Sequence, residues 1–117
     1  MFRPRIIPVL LLKDLALVKS VRFKKHKYIG DPINAVRILN DLKADELVFL
    51  DIEASRNRKL ISLDFVKNVG EEASMPFSAG GGIKSLDDIA ATLGCSPASA
   101  KTRVHRGRKQ FRQHYTA

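Results

Sequence analysis

The apolar positions of the first eighty residues come in three short runs separated by helical stripes. Residues 5–12 form a continuous, branched, apolar stretch, as a strand buried on both faces requires. Residues 46–52 repeat that character and end near Asp51. Residues 76–79 are a shorter third run, closed by Gly80-Gly81-Gly82. Between the first two, Asp31-Pro32 reads as an N-cap followed by proline at the first helical position. Ala35, Ile38, Leu39 and Leu42 supply a stripe at helical spacing. Between the second and third, Ser62 caps a helix whose stripe is Leu63, Val66, Val69 and Ala73. Residues 13–30 are basic and irregular, and read as a long loop that can hold a small hairpin. Alternating strands and helices predict an α/β fold with a parallel sheet and right-handed crossovers. Ligands of such sheets sit at the carboxyl ends of the strands, which here carry Lys13, Asp51 and the triple glycine.

The pattern changes after Ile83. Ser85 and Asp88 form a capping box for a helix with Leu86, Ile89, Ala90 and Leu93, and Gly94 ends it. Ser96-Pro97 starts another helix, with Ala100, Val104, Gly107 and Phe111 on one face. Two helices joined by a short glycine-containing turn have the helix-turn-helix layout.

Charge sharpens this division. The chain has 117 residues and a formal net charge of +9. Residues 84–117 carry seven basic and two acidic side chains, and none after Asp88 is acidic. A basic tail of that kind suits a polyanion such as nucleic acid, and equally a solvated helix face. Composition is globular, with 44% hydrophobic residues and no Trp. Cys95 is the lone cysteine, which excludes an internal disulfide and a cysteine-based zinc site. His26, His105 and His114 have no metal-ligand spacing with it, so no metal or other cofactor is expected. No run approaches the roughly 20 apolar residues a membrane helix needs, and the expected location is cytoplasmic.

Two resemblances follow from the motifs. Arg5-Ile6-Ile7-Pro8, Gly30-Asp31-Pro32, residues 45–52 with Ala54-Ser55, and Gly80-Gly81-Gly82-Ile83-Lys84 resemble the N-terminal third of the cyclase subunit of imidazole glycerol phosphate synthase. The details resemble its paralogues that accompany sugar amidation in surface-polysaccharide pathways. Asp88-Ile89-Ala90, residues 93–97 and residues 101–109 resemble region 4 of an extracytoplasmic-function sigma factor. Together they imply a chimera, designed or recombined, with residues 1–86 a partial β/α-barrel fragment and residues 87–117 a helix-turn-helix segment. The junction falls within residues 85–93, and the two parts are expected to merge into one globular domain.

The first resemblance implies a catalytic aspartate at position 11, where Leu11 stands and no proton can be carried. It implies a substrate- or loop-positioning role for Asp51, which as a plain strand-end residue would instead cap nearby backbone amides, a mobile first loop around Lys13, Lys19 and residues 24–27, and a phosphate site at Gly80, Gly81 and Gly82. The family loop has glycine after the Lys13-Asp14 pair, and Leu15-Ala16 stands there instead. The second resemblance implies base or near-backbone contacts to DNA by Ser96, Ser99, Lys101, Thr102 and Arg103, and phosphate contacts by Arg106, Arg108 and Lys109. The expectation is therefore a non-enzymatic chimera with weak, non-specific DNA binding. A sequence-specific module of sigma type is the alternative, and a phosphate-binding remnant of the barrel a distant third. Expected partners are further copies of the chain and duplex DNA, with no membrane.

Overall fold

A computed structural model describes residues 3–115. The chain forms two compact units, Met1–Gly82 and Ile83–Ala117.

The first unit is a five-stranded sheet with two helices. Its strands are β1 (Val9–Lys13), β2 (Ala16–Val21), β3 (Lys25–Gly30), β4 (Leu47–Asp51) and β5 (Phe77–Gly80). Their order is β3-β2-β1-β4-β5. β1, β4 and β5 pair in parallel, so the three expected parallel strands are present. β1 starts at Val9 because Pro8 has no N–H to give a ladder. The backbone around it still follows β4, since Pro8 accepts from the Val48 N–H at 3.0 Å.

The basic segment differs from the expected long loop. It is a full antiparallel meander in which β1 pairs with β2 and β2 with β3. Two tight turns make it. Asp14 and Leu15 have φ of 51° and 61°, and Arg22 and Phe23 have 51° and 62°. Consecutive positive φ values define the turn that matches strand twist in hairpins. Glycine and asparagine favour such turns, so nothing in Leu15 or Phe23 announces them.

Helix α1 (Pro32–Asp41) opens as expected, with Asp31 accepting from the Asn34 N–H at 3.0 Å. Helix α2 (Leu63–Glu72) is capped by Ser62, which accepts from the Phe65 N–H at 3.2 Å. Both helices cover one sheet face, over a core of Leu12, Leu17, Val36, Leu47, Phe49, Ile61, Phe65 and Val69. Phe49 and Phe65 meet edge to face at 5.2 Å between centroids. The stripe of α1 is rotated from the expected one. Val36 is buried and Ile33 packs beside it, whereas Ile38 and Leu42 are 58% and 72% exposed. Asn40 joins α1 to the end of α2. Its Nδ2 donates to the Glu72 carbonyl at 2.8 Å, and its Oδ1 accepts from the Ser74 N–H and hydroxyl, both at 3.0 Å.

The second unit is a helix pair, α3 (Leu86–Leu93) and α4 (Pro97–Tyr115). Ser85 and Asp88 close the capping box, and Gly94 takes the left-handed conformation at φ 65°. Ala90 and Ala100 are buried. No helix is long and apolar enough to cross a membrane among the described residues.

Candidate functional site

The carboxyl ends of β1, β4 and β5 lie side by side, since Leu12 pairs with Asp51 and Leu50 with Gly80. Past β5 the chain turns through Gly81 at φ 141° and Gly82 at φ 73°. Both glycines are required by packing. A Cβ on Gly81 would come within 2.8 Å of Asp51 Cβ and of the Asp51 carbonyl oxygen. One on Gly82 would meet the Lys59 carbonyl oxygen at 1.8 Å. The Gly81 carbonyl accepts from the Ile61 N–H at 3.0 Å, which ties the turn to the segment leading into α2.

Asp51 fills the capping role. Its Oδ1 accepts from the N–H groups of Glu53 and Ala54 at 3.0 and 3.1 Å, and so shapes the turn after β4. Lys13 turns toward that same turn. Its Nζ lies 3.6 Å from Glu53 Oε1 and 3.5 Å from His26 Nδ1. The structure thus draws Lys13, His26 and Glu53 together from β1, β3 and the β4 turn. Of these, Glu53 escapes sequence reasoning. Its one signal in the sequence is its place two residues past Asp51, in the turn that follows the second apolar strand. A cavity of about 250 Å³ opens there, with Leu11, His26, Glu53 and Arg56 in its wall. A neighbouring one of about 210 Å³ is bordered by Asp14, Asp51, Glu53 and Lys59. Lys19 lies outside this group, exposed and paired with Lys27 across the β2–β3 hairpin.

The residues expected to read DNA are arranged otherwise. Ser96 accepts from the Ser99 N–H at 3.2 Å, and Thr102 donates its hydroxyl to the Ala98 carbonyl at 3.2 Å. Both hydroxyls therefore serve α4 itself, and Ser99 is half-buried. Lys101, Arg103, Arg106, Arg108 and Lys109 are exposed. At 100° per residue they spread over about 220° of the helix circumference, which is a solvated surface rather than one stripe. His105 and His114 are exposed and Cys95 half-buried. No group of three potential metal ligands occurs among the described residues.

Comparison with known proteins bears on both halves. The pattern of a family described as histidine biosynthesis protein matches residues 5–108. A Pseudomonas aeruginosa protein, provisionally named an imidazole glycerol phosphate synthase subunit, is 53% identical over 87 residues, or 74% of this chain and 35% of its own. A Leptospira interrogans protein of the same provisional name is 48% identical over 93 residues, covering 80% and 37%. The imidazole glycerol phosphate synthase subunit HisF of Helicobacter hepaticus is 45% identical over 97 residues, covering 81% and 39%. The chain thus spans somewhat more than a third of the length of these relatives.

These matches correct the expected function. The family match spans residues 85–93, where a junction was expected, and extends to Arg108 of the basic helix. It leaves no support for a chimera or a sigma-type segment. The expectation of a non-enzymatic DNA binder, specific or not, is overturned, because the relatives are named as subunits of an enzyme. The physical source of the error is α4. Short capped helices and a cation-rich surface satisfy a DNA-binding motif without being one.

Proposed function

The chain belongs to the histidine biosynthesis protein family, and on that premise we propose that it forms the opening part of an enzyme subunit of the imidazole glycerol phosphate synthase type. Its share of the work is to hold a phosphorylated ligand at the strand ends. The observation that carries this is the turn at Gly81 and Gly82. Both residues are held as glycine at positive φ, and consecutive backbone N–H groups of such a turn are the donors that anion-binding nests use. Gly80, Gly81 and Gly82 are the phosphate-binding residues in this reading, and Asp51 sets the shape of the adjoining turn.

The finer reading places the chain with the paralogues that accompany sugar amidation. Leu11 supports it, because it stands where the resemblance puts the cyclase carboxylate.

Inorganic phosphate titrated into the 117-residue chain tests the ligand site. Saturable shifts of the Gly81 and Gly82 amide resonances are expected, with affinity in the millimolar range for one oxyanion on neutral backbone donors. Amides that do not respond to phosphate would overturn the reading.

A further inference from the structure

The cavity beside Leu11 contains an acid that the phosphate site does not use. Leu11, Phe23 and Ile52 give it apolar walls, and His26, Glu53 and Arg56 give it polar ones. The Glu53 side chain is only 22% exposed. Lys13 stands between Glu53 Oε1 and His26 Nδ1, at 3.6 and 3.5 Å. The three side chains come from three different elements, and each limits the freedom of the next. Asp14 and Asp51 border the neighbouring cavity, which Glu53 also lines. Arg56 has no ion-pair partner among the described residues.

We propose that Glu53 is the proton-transferring carboxylate of this cavity, in place of the acid that Leu11 cannot supply, with Lys13 and His26 as positioning residues. This rests on the reading of the chain as part of an imidazole glycerol phosphate synthase-type subunit. The ligand class is a nitrogen heterocycle or the amine that closes to one. Glu53 takes a proton from a ligand N–H, and the electron pair of that bond forms a C=N bond to the neighbouring carbon as that carbon's C–O bond breaks with its pair on oxygen. The carboxylic acid so formed returns the proton to a departing oxygen. The carboxylate is restored within one turnover, and no oxidant or co-reactant enters.

Imidazole titrated into the 117-residue chain is the test, with the Glu53 side-chain carboxyl carbon followed by NMR. That resonance is assigned by its loss in Glu53→Gln. A saturable shift is expected. Glu53→Gln should weaken imidazole binding at least about tenfold, as loss of a hydrogen bond to a charged group does. Glu53→Asp should restore most of it, and Lys13→Met should weaken it with Glu53 intact. Should Glu53→Gln fail to fold, Glu53→Asp supplies the assignment by displacing the resonance, and the shift in the unaltered chain decides. A Glu53 resonance that ignores imidazole, or a folded Glu53→Gln that binds it as well as the parent, overturns the assignment. Phosphate binding at Gly81 and Gly82 is read separately, so its failure would remove the phosphate site and leave the Glu53 result standing.

Discussion

Single residues in this chain sit where their side chains are least comfortable. Leu15 adopts φ 61° and is 55% exposed, so it bears left-handed strain and gains little burial. The left-handed region costs a residue with a Cβ about 1–2 kcal/mol. Leu15→Gly should therefore raise stability by about 1 kcal/mol in urea denaturation. Gly82 presents the opposite case. Its φ of 73° and the Lys59 carbonyl oxygen leave no room for a methyl group. Gly82→Ala should lower stability by at least about 2 kcal/mol, because the clash adds to left-handed strain of about 1–2 kcal/mol. Gly30→Ala, with nothing within 4 Å of the added carbon, is the control and should be close to neutral.

Elements are held by local chemistry that can be removed one bond at a time. Asn40→Ala removes the bonds to the Glu72 carbonyl and the Ser74 N–H and should lower stability by about 1 kcal/mol, since water can reach both groups. In α3, the backbone N–H of Lys84, helped by Ser85, holds the Asp88 carboxyl below its ordinary value of 3.8. A depressed folded value means that the contribution is complete above about 3.8 and is lost as pH falls through the folded value. Far-UV circular dichroism should show α3 helicity declining only in that acid range, and Asp88→Asn should remove that component. The caps at Asp31, Ser62, Ser85 and Gly94 were legible in the sequence because a cap depends on three or four neighbouring residues. The parallel strands were legible because burial on both faces leaves an unbroken apolar run. The meander was not, since Leu15, Arg22 and Phe23 take turn conformations that their types disfavour. The glycine turn of the site could be read for the same local reason as the caps. The grouping of Lys13, His26 and Glu53 could not, because it depends on pairings that bring together residues up to forty positions apart.

At the scale of the molecule, the sheet has a covered face and a bare one. Leu12, Leu47 and Phe49 lie under the helices, while Val9 and Leu50, on the alternate side of the same strands, are 56% and 40% exposed. Exposed neighbours of this kind favour association. Light scattering on the 117-residue chain should report species larger than a monomer at high micromolar concentration, and Leu50→Lys should shift the population toward the monomer. A monodisperse monomer before substitution would contradict this.

The two margins of the sheet differ as well. β3 is lined by Lys25 and Lys27, and like charges placed edge to edge repel. β5 is four residues long, free of charge, and paired only with β4. Within the first unit one margin is thus lysine-lined and the other uncharged, and this asymmetry limits how strand pairing between copies of the 117-residue chain would run. A contact that joins two β5 margins obeys two-fold symmetry, places the strands antiparallel, and uses both open margins at once. Such an assembly would leave only the lysine-lined β3 margins unpaired, so strand pairing would end at two copies and not propagate into a fibre.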